Sequence, residues 1–235
     1  MRLDKFLSQM NYGSRRDIKR MIKEKAITLN DSFVTQANVH IDPAKDDITV
    51  SGERVIFYDG LTLMINKPKG YVCANHDALH PTVFDLLDDV YKRHDLKVAG
   101  RLDIDTEGLL ILSTDGGLIH QIISPKQDVY KYYYLETKEP ITNPEAILEP
   151  RELVDGKKET YTPKAPKLLF HKDNCLEIAI SEGKFHQVKR MMEAIGHHVT
   201  TLKRIKIHRL PLDDSLAPGK VKRLHQDEID LLKNP

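Results

Sequence analysis

The sequence predicts an α+β protein in which a small, partly helical N-terminal module precedes a larger part of mixed strands and helices. Residues 1–25 place apolar side chains at helical spacing, whereas strand-like apolar runs separated by turns begin at Leu61. A length of 235 residues accommodates a small domain beside a larger one. With 40% hydrophobic and 30% charged residues, the composition is that of a globular protein and excludes disordered and fibrous classes.

The clearest element of the N-terminal module is a helix predicted from about Arg15 to Lys25. Ser14 with Asp17 three residues later is typical of a helix N-cap, and the following apolar residues occupy one helix face. The opposite face is basic and has no acidic partner on the same arc. It consists of Arg15, Arg16, Lys19, Arg20 and Lys23. This face is either a solvated surface or an RNA-binding surface, and the lack of interspersed glutamates favours RNA binding.

Short elements are predicted on both sides of this helix and in the second part of the chain. A short amphipathic helix precedes it, and the segment from Ile27 to Val34 predicts two strands around an Asn-Asp turn. Farther along, Leu109–Leu112 predicts a strand followed by a turn at residues 115–117. A helix near residues 188–195 is expected to end at Gly196.

Charge is distributed unevenly along a chain whose formal net charge is only +1. Residues 1–25 hold eight basic and three acidic residues, and residues 182–209, which include Arg204, hold seven basic and two acidic ones. An aromatic run, Lys131-Tyr-Tyr-Tyr-Leu135, lies between them and by itself is typical of an ordinary strand. Two basic regions with interleaved aromatic residues suit looped or single-stranded RNA.

Several other classes of function are disfavoured by the sequence. The chain has two cysteines without C-x-x-C spacing, and it lacks the phosphate-binding, dinucleotide-binding and H-E-x-x-H motifs. We therefore expect buried thiols, no metal site and no nucleotide cofactor. The chain shows no long apolar run and no secretory signal pattern, so we expect no membrane association and a cytoplasmic location.

The densest polar cluster is Gly100-Arg-Leu-Asp-Ile-Asp-Thr-Glu-Gly108, which has apolar runs on both sides. Such a cluster is most often an ordinary turn between strands. Its acidic spacing also approaches that of a calcium-binding loop, but Thr114 stands where that loop requires a bidentate glutamate. Calcium binding is therefore rejected.

Several segments together resemble the pseudouridine synthase family. The Gly100–Leu110 segment is similar to the family's G-R-L-D-x-D-T-x-G-L-L motif, and Lys131–Leu135 is similar to its K-x-Y-x-V strand. Glu182-Gly-Lys-Phe-His-Gln-Val-Lys189 resembles its E-G-K/R-x-H-Q-V/I-K/R motif, and Asn66-Lys-Pro-Lys-Gly-Tyr71 its N-K-P-x-G turn. Residues 1 to about 50 resemble an S4-type RNA-binding module.

The resemblance implies a fold, an activity and a set of site residues. It implies an S4-type domain at residues 1–55, followed at residues 60–235 by a catalytic domain with a mixed, mainly antiparallel sheet and flanking helices. Asp103 would be the catalytic aspartate, Tyr133 the active-site tyrosine and Lys189 the basic partner that keeps Asp103 ionised. Arg101 would fill the space left by the extruded uridine. Isomerisation of uridine requires no cofactor.

Within the family, the details resemble the small-subunit ribosomal RNA group called RsuA. Ser124-Pro-Lys126 and the late segment Leu212–Gly219 carry this similarity. It implies a monomeric enzyme that modifies one uridine of 16S ribosomal RNA in an assembling particle. A synthase for 23S ribosomal RNA and a non-catalytic, ribosome-associated RNA-binding protein remain the alternatives, although the joint presence of Asp103, Tyr133 and Lys189 favours an enzyme.

Overall fold

A computed structural model describes residues 1–156 and 158–233, which group into two compact units. The first unit comprises residues 1–61 together with Leu87–Leu96, and the second comprises Thr62–Leu86 together with residues from Lys97 onward. The segment Leu87–Leu96 was expected in the second domain, but it groups with the first unit. Residues 234 and 235, at the end of the predicted second domain, lie outside the described residues. Within the described part of the chain, no helix has the length and apolar character needed to span a bilayer.

The first unit packs short helices against a small antiparallel sheet. Its helices are α1 (Leu3–Gln9), α2 (Arg15–Lys23) and α3 (Asp89–Lys92), and its strands are β1 (Ile27–Leu29), β2 (Ser32–Phe33), β3 (Ile48–Val50) and β4 (Glu53–Arg54). The strands pair in the order β2-β1-β3-β4. Leu3, Phe6 and Leu7 of α1 form one apolar core with Ile18 of α2 and Ile27 of β1. This unit therefore has a hydrophobic core of its own.

Helix α2 begins where the sequence predicts and presents the predicted basic face. Ser14 accepts a hydrogen bond from the Asp17 backbone N–H at 3.2 Å, and the Asp17 carboxylate accepts one from the Ser14 N–H at 3.0 Å. This reciprocal capping fixes the start of the helix. All five basic residues of the face are exposed. However, Arg20 lies 3.3 Å from the Asp17 carboxylate, so the expectation that no acidic partner is present is wrong for Arg20.

The predicted hairpin behind α2 also forms. Strands β1 and β2 pair antiparallel around Asn30 and Asp31, whose φ angles are +48° and +63°. Two consecutive left-handed residues are typical of a type I′ turn, and asparagine and aspartate tolerate this conformation better than other non-glycine residues.

The second unit contains the main sheet. Its strands are β5 (Thr62–Lys67), β6 (Lys97–Val98), β7 (Glu107–Ser113), β8 (Lys131–Thr137), β9 (Leu153–Val154), β10 (Thr160–Tyr161), β11 (Lys167–Lys172), β12 (Cys175–Ile180), β13 (Val199–Ile207), β14 (Leu210–Pro211) and β15 (Val221–Arg223). Its helices are α4 (Gly116–Ile123), α5 (Gln187–Ala194) and α6 (Gln226–Asp230), with 3₁₀ turns at Val83–Leu86, Pro125–Gln127 and Pro144–Leu148.

The main sheet runs in the order β11-β12-β8-β13-β7-β5-β15, with β14 beside β13 and β6 beside β7. Strands β13 and β7 pair parallel, and the other pairs in this sheet are antiparallel. A separate antiparallel pair joins β9 and β10. The predicted mixed, mainly antiparallel sheet with flanking helices is confirmed.

Helix α4 is an element that the sequence pattern did not predict. Asp115 and the two following glycines were expected to form a turn, but the Asp115 carboxylate accepts hydrogen bonds from the N–H groups of Gly117 and Leu118 and caps the helix. Leu118 and Ile122 pack against the sheet core. Because glycine has low helix propensity, this packing stabilises a helix that local propensity does not favour.

The parallel junction between β7 and β13 depends on Gly108. Its φ angle is +102°, and a Cβ at this position would lie 2.9 Å from the Arg204 backbone nitrogen. Only glycine combines this backbone conformation with so close an approach of a neighbouring strand. Since Gly108 is the second residue of β7, directly after the loop that carries Asp103, it determines where that loop meets the sheet.

We expect Gly108→Ala to destabilise the protein by at least about 2 kcal/mol, because the added Cβ both strains the backbone and collides with β13. Gly116→Ala is the matched control, since a Cβ there meets no neighbouring atom and its effect should stay within about 0.5 kcal/mol. Urea unfolding of both variants measures the difference. Equal unfolding midpoints for the two variants would contradict the role assigned to Gly108.

Candidate active site

The candidate active site lies in the second unit, where a loop, a strand and a helix meet. The loop between β6 and β7 carries Arg101 and Asp103, β8 carries Tyr133, and α5 carries Lys189. Arg101, Asp103 and Tyr133 line a cavity of about 60 Å³, which we call the active-site cavity. A wider cavity of about 400 Å³ shares Arg101 and Asp103 and is also lined by His186. The structure thus brings together predicted residues that are far apart in the sequence.

The RNA-contact residues predicted on α2 are located elsewhere in the chain. They belong to the first unit and are not among the described residues that line these cavities. The sequence therefore predicts two kinds of functional surface, and the structure places them on separate units.

The loop that carries Asp103 is held by a buried lysine, Lys67, at the end of β5. The Lys67 side chain is fully buried, and its Nζ donates hydrogen bonds to the carbonyl oxygens of Asp103 at 3.0 Å and Thr106 at 2.8 Å. Weaker contacts reach the carbonyls of Pro68 at 3.1 Å and Ile104 at 3.3 Å. Burial lowers the pKa of Lys67, although the nearby Cys73 thiol and the carboxylates of the loop oppose this effect. This lysine lies within the N-K-P motif, but the sequence pattern indicates no role for it.

A second buried cation, Arg204 of β13, holds the start of the same loop. Its residue exposure is 2%, and it donates from Nε to the Leu109 carbonyl at 2.7 Å and from Nη2 to the Gly100 carbonyl at 3.0 Å. In the sequence, Arg204 belongs to a basic region that is predicted to face RNA. That assignment is wrong, because the guanidinium is buried and used inside the protein.

Lys189 lies between the two aspartates of the loop. Its Nζ is 3.6 Å from Asp103 Oδ2 and 2.5 Å from Asp105 Oδ1. Burial raises the pKa of Asp105, but the hydrogen bond and charge of Lys189 outweigh this effect and lower the pKa below its ordinary value. The shorter contact is therefore made with Asp105, a residue to which sequence analysis gave no catalytic role.

His186 is a further residue at the site. Its Nε2 lies 3.7 Å from Asp103 Oδ1, and its ring stacks on Phe185 with a centroid separation of 3.7 Å. His186 directly precedes α5, which begins at Gln187, and it has a left-handed φ of +53°. The left-handed conformation places the imidazole beside the carboxylate.

The active-site cavity has an apolar side. Tyr133 is 8% exposed, and Ile180, Val188 and Leu202 complete this part of the lining. Asp103 faces the same space, so a polar group borders an apolar slot. Such a slot suits a nucleobase, whose ring packs against apolar and aromatic side chains while its sugar meets the carboxylate.

A third buried cation, Lys131, lies on β8 two residues before Tyr133, and the alternation of strand side chains places both on the same sheet face. Lys131 is 7% exposed and lines a cavity of about 100 Å³ together with Arg101, Glu182 and Arg204. We call it the Lys131 cavity. Burial, reinforced by the charge of Arg204, lowers the pKa of Lys131 to about 8. In the sequence, this lysine is only the first residue of an aromatic run.

The structure describes no arrangement of side chains that would bind a metal ion, and it places both cysteines. Among the described residues, no three histidine, cysteine, aspartate or glutamate side chains are arranged to hold a metal ion. Cys73 and Cys175 are free cysteines, and both are half-buried rather than buried as expected.

We expect Lys131→Met to stabilise the free protein at pH 7, because a lysine pKa lowered from 10.5 to about 8 corresponds to roughly 3 kcal/mol. Between pH 8 and 10.5 the unfolded chain binds more protons at this residue than the folded protein does, so wild-type stability should rise with pH across that window. The methionine variant should lack this part of the rise. Urea unfolding of both proteins at several pH values between 7 and about 10.5 measures this pH dependence of the free energy of unfolding.

The control for this measurement is Lys138→Met, which removes an exposed lysine just beyond the end of the same strand. It should keep the wild-type pH dependence. Lys67, whose pKa is also lowered, is present in all three proteins, so its contribution cancels in the comparison. Identical pH profiles for wild type and Lys131→Met would contradict the burial of a protonated amine.

Known families and relatives match the chain over nearly its whole length. Residues 1–48 match the S4 domain, and residues 62–194 match the RNA pseudouridylate synthase family. The chain is 39% identical over 237 residues to an uncharacterized RNA pseudouridine synthase of Bacillus subtilis, covering 100% of this chain and 99% of that protein. It is 37% identical to the ribosomal small subunit pseudouridine synthase A of Haemophilus influenzae, covering 99% of each.

A solved structure agrees with these matches. The crystal structure of a pseudouridylate synthase aligns with a TM-score of 0.67 at 37% sequence identity, covering 99% of this chain and 100% of that one. Fold, sequence and motif order thus confirm the family that the motifs resemble. The chain belongs to the RNA pseudouridine synthase family, whose members are isomerases that act on RNA, and it carries an RNA-binding S4 domain ahead of the synthase domain.

Proposed function

We propose that this enzyme isomerises one specific uridine of 16S ribosomal RNA to pseudouridine. The observation that carries the proposal is the full-length similarity to proteins named ribosomal small subunit pseudouridine synthase A. Besides the Haemophilus protein, the Yersinia pestis one is 36% identical, covering 97% of each chain. The similarity extends through both the S4 and the synthase parts, so the part of the chain that binds RNA is shared as well as the part that performs chemistry.

The chemistry is assigned to Asp103. Isomerisation breaks the bond between C1′ and N1, turns the uracil ring and joins C1′ to C5. A proton leaves C5 and N1 takes up a proton, so the composition of the nucleotide is unchanged. An ionised carboxylate promotes this reaction either as a nucleophile at C1′ or as the base that leads to a glycal. Asp103 suits both routes, because it borders the apolar slot that would hold the base and its backbone is held by Lys67.

Other residues receive supporting roles. Lys189, placed between Asp103 and Asp105, orients the Asp103 carboxylate and keeps a positive charge beside it. Tyr133 forms a wall of the slot and stacks on the extruded base. Arg101 precedes Asp103 by two residues and is exposed, which suits a side chain that enters the space vacated by the flipped uridine.

Binding to a folded RNA is assigned to both domains, which we propose extend over residues 1–55 and 60–235. The basic face of α2 supplies phosphate contacts, because all its cations are exposed and, among the described residues, only Arg20 lies within ion-pair distance of a carboxylate. Two RNA-binding parts on one chain favour a structured target over a short oligonucleotide. Extruding a loop uridine costs less free energy when ribosomal proteins do not yet pack against the RNA, so the proposed substrate is a partly assembled small subunit. The enzyme is proposed to act as a monomer.

We expect Asp103→Asn to abolish turnover while leaving RNA affinity and folding intact, because the substitution keeps the shape of the side chain and removes its charge. Release of tritium from C5-labelled RNA measures turnover, and filter binding measures affinity. Asp105→Asn is the matched control in the same loop, and it should retain measurable turnover. Turnover by Asp103→Asn, or its loss only in Asp105→Asn, would mean that the catalytic carboxylate is assigned to the wrong aspartate.

Reversing two charges on α2, Arg16→Glu with Lys19→Glu, should weaken RNA binding and flatten its dependence on salt, because fewer counterions are released. The matched control reverses Lys45 and Arg54, which lie in the same unit outside α2 and pair with Asp42 and Asp47. RNA affinity of both variants is measured between 50 and 200 mM salt. Over this range, a protein that makes several phosphate contacts loses affinity by a factor on the order of tenfold or more. Equal effects of the two reversals would make the α2 face an ordinary solvated surface.

The choice of substrate is tested by incubating the purified enzyme with 16S ribosomal RNA, 23S ribosomal RNA, partly assembled small-subunit particles and mature small subunits. We expect pseudouridine at one position of 16S RNA, formed fastest in the partly assembled particle and poorly in the mature subunit. Sequencing after chemical tagging of pseudouridine reads the position. Modification confined to 23S RNA would refute the 16S assignment while leaving the enzyme class unchanged.

A further inference from the structure

The Lys131 cavity contains a buried cation for which the described residues supply no counterion. Lys131 is more than nine-tenths buried, and its ammonium makes no hydrogen bond or ion pair with any residue that the structure describes. Arg204 faces the same cavity and adds a second positive charge. A buried charge without a partner is costly, and proteins rarely retain one without a use for it.

The acidic residue in this cavity is already engaged by other groups. Glu182 Oε1 accepts hydrogen bonds from the Lys164 backbone N–H at 2.8 Å and from Gln187 Nε2 at 2.9 Å. Neither of its oxygens lies within ion-pair distance of Lys131 among the contacts of the described residues. The cavity therefore carries a surplus of positive charge directed at its own space.

The position of the cavity relates it to the substrate. Arg101, Tyr133 and Gly183 line both the Lys131 cavity and the active-site cavity, so the two meet at Tyr133. The active-site cavity offers an apolar slot, whereas the Lys131 cavity offers cations. A nucleotide has the same two-part character, because an uncharged base and an anionic phosphate are joined through one sugar.

We propose that the Lys131 cavity is a phosphate-binding subsite, in which Lys131 receives a backbone phosphate adjacent to the uridine whose base lies against Tyr133, while the buried guanidinium of Arg204 adds positive charge at the cavity wall. This proposal rests on the proposed function only in taking the active-site cavity as the place where uridine binds. The cavity volume of about 100 Å³ accommodates a phosphate group. Lys131 is thereby a residue that binds the RNA backbone and not one that reacts with the base.

The test compares binding of uridine, uridine 3′-monophosphate and uridine 5′-monophosphate to the full-length protein at pH 7 by calorimetry or by competition against RNA. Wild type should bind one of the two monophosphates about tenfold or more tightly than uridine, as expected for a charge-assisted contact. The monophosphate that is preferred identifies the phosphate on the 3′ or the 5′ side. Lys131→Met should reduce this preference to about onefold and leave uridine affinity unchanged.

Two variants serve as controls. Lys138→Met removes an exposed lysine near the end of the same strand and should keep the full preference. Lys131→Arg keeps the positive charge and should retain a preference for the same monophosphate. In wild type the preference should decline above about pH 8, as the free lysine loses its proton, and Lys131→Arg should lack this decline. Among the described residues that line this cavity with Lys131, the other charged or titratable ones are Arg101, Tyr133, Glu182 and Arg204, and all are unchanged in these variants.

Two outcomes would overturn the proposal. Equal binding of uridine and both monophosphates by wild type would show that no phosphate subsite exists. Equal weakening of uridine and monophosphate binding by Lys131→Met would show that the lysine supports the slot for the base instead. Neither outcome depends on turnover, whereas failure of the wild-type enzyme to modify 16S RNA would refute the proposed function and leave this result unaffected.

Discussion

The hydrogen bonds from the buried Lys67 ammonium to the loop carbonyls are the interaction on which the site depends. An ammonium has three N–H donors and here faces four backbone carbonyls, those of Pro68, Asp103, Ile104 and Thr106. Burial of this charge is costly, and carbonyl dipoles offset the cost only when they are held in place. The loop and the lysine therefore stabilise each other. As a result, the Asp103 backbone is fixed while its carboxylate remains in the cavity.

Three buried cations surround this loop, and they differ in what neutralises them. Lys67 donates to the carbonyls of Asp103 and Thr106, and Arg204 donates to those of Gly100 and Leu109, so both cations are satisfied inside the protein. Lys131 has no such partner among the described residues and faces a cavity beside Tyr133. This contrast separates cations that build the site from one that is available to a substrate. It also indicates that the free enzyme gives up some stability in order to bind a charged backbone.

The parallel contact of β7 with β13 connects this arrangement to the sheet. Strand β13 carries both Leu202, in the apolar slot, and Arg204, which holds Gly100. Gly108 permits β7 to approach β13 closely enough for Arg204 to reach the Leu109 carbonyl. One strand pair therefore aligns the wall that faces the base with the loop that carries the carboxylate, so small shifts in this pair would affect both.

The sequence by itself determined features that depend on neighbouring residues. Ser14 and Asp17 start α2, Asn30 and Asp31 turn the hairpin, and the motif around Asp103 identifies the family, because capping, turn conformation and motif order act over short stretches of chain.

Tertiary structure decided which cations are buried and which groups they contact. Lys67 and Asp103 are separated by 36 positions in the sequence. The separation is 84 positions for Lys189 and Asp105, and 104 positions for Arg204 and Gly100. Burial and charge pairing at such separations depend on how strands assemble, and composition or helical spacing carries no information about them. For the same reason the sequence showed Arg204 only as one basic residue among seven, Lys131 only as part of an aromatic strand, and α4 only as a turn.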